Sequence, residues 1–190
     1  MPTAAERAPD QAKSALRAEL ARLRRALDPS TTRAWDQAIG RHLLAWWEDL
    51  GLDTLAVYWP LKGEPDLAAA YAELVRRGAR LALPVVLARD APLAFAHWEP
   101  GEAMGRDCMG VAVPAAMRPL ARPPAILVPC LGFNGARLRL GYGGGYYDRT
   151  LAPAPRALAA GVAYACQAAQ FDGAAHDVAL DLIVTETGLR

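Results

Sequence analysis

TLAVYWP, residues 54–60, is the stretch on which the fold turns. It is a short apolar run closed by proline. A second run, ALPVV around Pro84, follows it, and between the two, residues 65–77 carry helical spacing that Gly78 stops. Strand, helix and strand in that order cross over right-handed and leave the strands parallel, with helices covering the sheet. The class read from this unit is α/β, a single three-layer domain with a mostly parallel central sheet flanked by helices.

The rest of the chain extends that frame on both sides. Upstream, Leu16, Leu20, Leu23 and Leu27 recur at helical spacing among Lys13, Arg17, Arg24 and Arg25, which predicts a basic amphipathic helix over residues 10–27 behind a flexible tail, residues 1–9. Asp28-Pro29 ends it, and Ser30 or Thr31 is read as the cap of a second helix with Trp35, Ile39, Leu43 and Trp46 as its buried stripe. Downstream, PLAFAHW (residues 92–98) predicts an antiparallel strand and AILVP (residues 125–129) a fully buried one. A helix over residues 146–151, a strand through ALAAGVAY (residues 157–164) and a terminal strand in LDLIVTE (residues 180–186) complete the alternation. Residues 99–124, rich in proline, glycine and mixed charge, read as loop.

Composition narrows the function classes. The chain has 190 residues, 53% hydrophobic and 22% charged, with a formal charge of +1, so it is globular and has no overall attraction to nucleic acid. Cys108, Cys130 and Cys166 are odd in number and far apart, which suits reduced thiols rather than a disulfide framework or a zinc site. The first residues lack the apolar core of a secretory signal, and no apolar run is long enough for a bilayer, so a cytoplasmic protein without membrane association is expected.

Chemistry concentrates in RLGYGGGYYDRTL, residues 139–151. It follows a buried strand and leads into a helix, at the sheet edge where α/β folds hold ligands. Glycines let backbone N–H groups approach an anion, a helix start favours negative charge, and Arg139 adds a guanidinium fork; phosphate is the natural ligand. The segment is neither of two named phosphate loops. It lacks the Gly-Lys-Ser/Thr ending of one, and Gly141, Gly143, Gly144 and Gly145 miss the glycine spacing of the other. Tyr146 and Tyr147 offer faces for stacking, and Asp148 in the first helical turn is placed either to hold magnesium or simply to complement the helix dipole.

On these residues the sequence resembles the 5-formyltetrahydrofolate cyclo-ligase family, also called methenyltetrahydrofolate synthetases. The likeness is densest over LGFNGARLRLGYGGGYYDRTL (residues 131–151) and continues in KSALR (residues 13–17), YWPLKGEPD (residues 58–66) and HDVALDLIVTE (residues 176–186). The resemblance implies ATP as cosubstrate, Mg²⁺, and closure of 5-formyltetrahydrofolate to the 5,10-methenyl form by a monomer. It implies phosphorylation of the formyl oxygen followed by attack of N10.

It also implies residue roles. Lys13 and Arg17, one helical turn apart, would contact ATP together with Arg139, Gly141, Tyr142, Gly143, Gly144, Gly145, Tyr146 and Tyr147. Lys13, Arg17, Arg139 and Tyr146 would carry catalysis, Trp59, Glu64, Tyr142 and Tyr146 would border the folate, and Asp148 and Asp181 would hold the metal. Three positions depart from the pattern: Asn134 replaces the usual Asp, Gly144 a lysine found in some members, and Cys130 a frequent glycine. Those departures leave a non-catalytic folate or nucleotide binder as the alternative, and fold alone would admit another enzyme on the same scaffold.

Overall fold

The computed structural model describes residues 4–61 and 63–190. Helix α1 (Ala4–Arg25) starts within the segment expected as a tail, of which residues 1–3 lie outside the described residues. Helix α2 (Pro29–Leu50) is capped by Asp28 and not by Ser30 or Thr31: the Asp28 carboxylate accepts the N–H groups of Ser30 and Thr31 at 2.9 and 3.0 Å, and Pro29 takes the first position, where no N–H is needed.

Strands β1 (Thr54–Ala56) and β2 (Arg80–Val85) pair in parallel, Leu55 opposite Leu81, and helix α3 (Ala68–Arg76) crosses between them as the sequence predicts. Strand β3 (Ala94–Trp98) is antiparallel to β2. The stretch read as loop is more ordered than its composition suggests, since it contains β4 (Met104–Arg106), β5 (Ala112–Pro114) and β6 (Pro119–Leu120). Then come β7 (Ala125–Pro129), the short pair β8 (Gly132–Phe133) and β9 (Arg139–Leu140), α4 (Tyr146–Leu151), β10 (Leu158–Val162), β11 (Leu182–Thr185) and β12 (Gly188–Leu189). The main sheet runs β12-β11-β10-β7-β1-β2-β3-β6, and the five strands from β11 to β2 are mutually parallel.

Side chains of the central strands alternate between two cores. Leu55, Leu81, Leu83, Leu127 and Val162 meet Ile39, Leu43 and Trp46 of α2 and Leu74 of α3 on one face. Ala56, Ala82, Ile126, Val128 and Ile183 meet Phe95 of β3 and Leu151 of α4 on the other. Each fully buried leucine or isoleucine contributes about 1.5–3 kcal/mol, so these two layers hold the sheet between its helices. The result is the α/β class expected, with a mostly parallel sheet flanked by helices.

Two features of this topology position the site. From β1 the chain proceeds to β2 on one side, whereas β7 proceeds to β10 and β11 on the other, so a crevice opens at the carboxyl ends of β1 and β7 where the direction reverses. Helix α1 packs on the β8–β9 pair: Leu20 meets Leu131 and Leu140, and a Cβ on Gly132 would lie 2.5 Å from Leu20 Cδ1, so a larger residue there would displace the Leu20 side chain. That contact sets the basic helix beside the crevice. Among the described residues no helix is long and apolar enough to cross a membrane.

Candidate active-site cleft

The crevice is a cleft of about 600 Å³. The residues after β1 bring Tyr58, Trp59, Leu61 and Glu64 to it; α1 brings Lys13 and Arg17; the glycine segment brings Arg139 and residues 141–148. A further wall comes from the segment read as loop, where the β4–β5 turn adds Asp107, Met109 and Val111. Asp107 builds that turn. Its Oδ1 accepts the N–H groups of Met109 and Val111 at 2.9 and 3.0 Å, and its Oδ2 accepts that of Val86 at 3.1 Å, which ties the turn to the end of β2. Asp at the first and Gly at the fourth position of DCMG, residues 107–110, is the signal that announces it.

The expected cations converge, each already held. Lys13 Nζ donates to Asp177 at 2.9 Å, Arg17 Nε donates to the Gly141 carbonyl at 2.9 Å, and Arg139 pairs with Asp148 at 2.5 Å, its guanidinium 5.3 Å from the centre of the Tyr147 ring. The Arg139 side chain is 7% exposed, and its Nε has no hydrogen-bond partner among the described residues. A buried donor without an acceptor costs about 1–3 kcal/mol. Burial pushes the Tyr147 hydroxyl well up, so it stays protonated.

The loop geometry explains its glycines. Gly145 adopts the left-handed conformation, φ 62°, at the start of α4. A Cβ on Gly144 would lie 2.8 Å from Tyr146 ring carbons, so that ring rests directly on the glycine backbone. Arg149 bonds the Gly144 carbonyl and stacks over Tyr146 at 5.3 Å, so a cation does lie against the loop at Gly144. Helix α4 is six residues long, so the dipole at its start is correspondingly small.

The half of the cleft formed after β1 is aromatic and acidic. Trp59 is 37% exposed and stands edge-on to Trp98, which in turn meets Tyr71, so one side is anchored in the core while the residue still lines the cleft. Glu64 is 5% exposed; its Oε2 accepts the Leu61 N–H at 2.8 Å and its Oε1 the Tyr142 hydroxyl at 3.0 Å. Burial raises its pKa above the ordinary carboxylate value, against the opposing pull of those bonds and of Arg24.

Asp181 is the exception among the expected residues. It does not line the cleft: it accepts the Ala159 N–H at 2.7 Å across to β10 and pairs with Arg156, the role of a strand-start acid. The carboxylate that stands with Asp148 in the cleft is Asp177, four residues earlier. Burial works upward on Asp177, but the Ala174 N–H and Lys13 outweigh it and hold the carboxyl below its ordinary value. The described residues contain no cluster of three or more His, Cys, Asp or Glu with metal-site geometry.

The departures resolve structurally. Asn134 accepts the N–H groups of Ala136 and Leu138 and donates its Nδ2 to the Phe171 carbonyl at 2.9 Å, a bond that an aspartate could not make. Cys130 is fully buried and its thiol is pushed up to about 12, inert packing between strands. His176 reaches the cleft rim and is largely exposed.

Comparison with known proteins agrees with this geometry. The model of the 5-formyltetrahydrofolate cyclo-ligase family matches residues 9–186. A 5-formyltetrahydrofolate cyclo-ligase of Mycoplasma pneumoniae is 31% identical over 179 residues, covering 92% of this chain and 98% of its own, and the Escherichia coli K12 cyclo-ligase is 30% identical over 67% of this chain and 73% of its own. Among solved structures, a 5,10-methenyltetrahydrofolate synthetase from Mycoplasma pneumoniae superposes with a TM-score of 0.77 at 28% identity over 92% of this chain and 98% of that one. That of Aquifex aeolicus superposes with a TM-score of 0.79 at 30% identity over 94% and 91%.

Proposed function

This chain belongs to the 5-formyltetrahydrofolate cyclo-ligase family and is an enzyme of that kind, and from that premise we propose that its cleft couples ATP and Mg²⁺ to the closure of 5-formyltetrahydrofolate to 5,10-methenyltetrahydrofolate, releasing ADP and phosphate. The observation that carries the reading is convergence: Lys13, Arg17, Arg139 and the glycine loop share one cleft with Glu64 and Trp59, so a site suited to a polyphosphate adjoins one suited to a flat, hydrogen-bonding ring.

The chemistry sets the demands. An amide-like formyl oxygen leaves poorly, and transfer of the γ-phosphoryl group to it makes it a good leaving group when N10 attacks the same carbon; the protein's part is alignment and charge neutralisation. Lys13, Arg17 and Arg139 balance charge on the transferring group. Tyr146, fixed between Gly144 and Arg149, borders both halves. Glu64 accepts N–H donors of the pterin, and Trp59 packs on the ring.

Magnesium takes one or two carboxylates and completes its shell with water and phosphate oxygens, and Asp148 with Asp177 fits that demand. When bound there it supplies positive charge to the β- and γ-phosphates.

The test is a product assay. Purified protein with ATP, Mg²⁺ and 5-formyltetrahydrofolate yields the methenyl product, read by its near-ultraviolet absorbance. Tight folate binding without product would leave a binder descended from this family.

A further inference from the structure

Arg24 and Tyr142 build a bridge to Glu64 that the proposed chemistry does not itself require. Arg24 sits two helical turns beyond Arg17 on α1, is 5% exposed, and crosses the turn before Glu64 so closely that a Cβ on Gly63 would lie 3.3 Å from its Nε. Its Nη2 donates to the Tyr142 hydroxyl, and its guanidinium lies 5.9 Å from the centre of that ring. The Tyr142 hydroxyl reaches Glu64 Oε1 at 3.0 Å.

Chemistry fixes the direction of this relay. A guanidinium has no acceptor, so the tyrosine oxygen must accept from Arg24, and its single proton is then committed to Glu64. The other Glu64 oxygen is held by the Leu61 N–H. Each carboxylate oxygen keeps a further lone pair, and the carboxylate cannot rotate without breaking one of two bonds from different chain segments. Tyr142 is 53% exposed, so hydrophobic burial does not explain why its ring extends across from the glycine loop. Its polar contacts do.

We propose that Arg24 and Tyr142 are positioning residues for the folate: together they hold the Glu64 carboxylate turned so that its remaining lone pairs meet the N–H edge of the pterin. The inference rests on the reading that Glu64 receives the folate. It also gives α1 a second task, because the helix that presents Lys13 and Arg17 to the nucleotide thereby orders the acid of the other half-site.

Steady-state kinetics of Tyr142→Phe, Arg24→Gln and Arg24→Lys test it. In Y142F and R24Q, KM for 5-formyltetrahydrofolate rises about tenfold, the loss of one charge-assisted hydrogen bond, while in R24Q, whose side chain does not line the cleft, KM for ATP and kcat at saturation change less than about twofold. R24K keeps a donor near the hydroxyl and lies between wild type and R24Q. Unchanged KM for the folate in either variant, or a parallel rise in both KM values in R24Q, would overturn the proposal, since a merely structural role of Arg24 moves both or neither. Should Y142F not accumulate as folded protein, R24Q decides by the same split. If the wild type gives no methenyl product, the catalytic reading fails separately, and equilibrium binding of 5-formyltetrahydrofolate to wild type and Y142F decides the bridge: a tenfold weaker Kd supports it and equal Kd values refute it.

Discussion

Asp148→Asn is the substitution whose outcome follows most directly from the structure. Asp148 and Arg139 form a pair with side-chain exposures of 14% and 7%, so the exchange removes the ion pair but leaves the charged guanidinium an amide oxygen to donate to, without changing shape. Stranding one member of a buried pair costs about 3–5 kcal/mol, and the bond that the guanidinium keeps to the amide oxygen returns about 1.5–3, so the fold loses on the order of 1–2 kcal/mol. For a chain of this length that lowers Tm by about 2–8 °C, and circular dichroism on heating should find a cooperative transition in that range. Turnover should fall far more, about a hundredfold, because a metal carboxylate worth several kcal/mol of charge stabilisation is gone, while folate affinity stays near that of the wild type. ATP affinity measured without Mg²⁺ should move the other way and tighten, since Arg139 is no longer held by an anion. Wild-type turnover with an unaltered Mg²⁺ requirement would remove Asp148 from the mechanism, and a Tm loss beyond about 15 °C would show that the pair is structural first.

The remaining expectations separate neighbouring residues. Asp177→Asn should raise the Mg²⁺ concentration needed for half-maximal rate about tenfold or more, whereas Asp181→Asn should lower Tm by a few degrees and leave that concentration unchanged, because Asp181 serves Ala159 and Arg156. Asp177 has a depressed pKa, so its contribution to stability is complete above about pH 4 and disappears as pH falls through the lower folded value; D177N should flatten that acid limb in thermal melts. Glu64 has a raised pKa, so its ionisation weakens the fold as pH rises from about 4 through the folded value, and the Tm of E64Q should gain on that of the wild type over that window. Asn134→Asp, which restores the family's usual residue, should cost about 1–3 kcal/mol in denaturant unfolding, because it sets a carboxylate against the Phe171 carbonyl in place of a donor.

Buried periodicity made most of the architecture legible. AILVP could be read as a strand because four of its five residues are buried, and the β1–α3–β2 unit because its apolar runs are separated by a helix of ordinary length. Strands β6, β8, β9 and β12 are two residues long each, too short to express any period. The β4–β5 wall escaped because one aspartate organises it through backbone N–H groups, a relation that composition does not carry. In the site, Lys13 and Arg17 were legible through the family resemblance, since their spacing of one turn alone reads as a solvated basic face. Asp177 and Asp181 were not separable: both acids stand within one short segment, and the choice depends on which lies in the loop that folds back toward α1 and which caps the adjacent strand. Arg24 looked like another residue of a solvated basic face because its partners are distant in sequence, Tyr142 lying 118 positions away.

Charge balance in the cleft leads to one more consequence. Among its lining residues, the carboxylates Glu64, Asp107, Asp148 and Asp177 outnumber the cations Lys13, Arg17 and Arg139, and Lys13 and Arg139 are each paired with one of those acids. A bare triphosphate that took Lys13 and Arg139 would strand Asp177 and Asp148, both about 15% exposed, beside a polyanion. Stranding one member of a buried pair costs about 3–5 kcal/mol, more than a phosphate contact returns. The exchange becomes favourable when the two released carboxylates gain a divalent cation in place of their former partners. Calorimetric titration should therefore give an ATP affinity at least about a hundredfold higher with Mg²⁺ than with a chelator present, and a folate affinity that ignores the metal, because Glu64 is organised by Leu61, Tyr142 and Arg24 instead. Equal ATP affinity in both conditions would mean that Lys13 and Arg139 keep their carboxylates while the nucleotide is bound, and that the loop amides alone hold the phosphates.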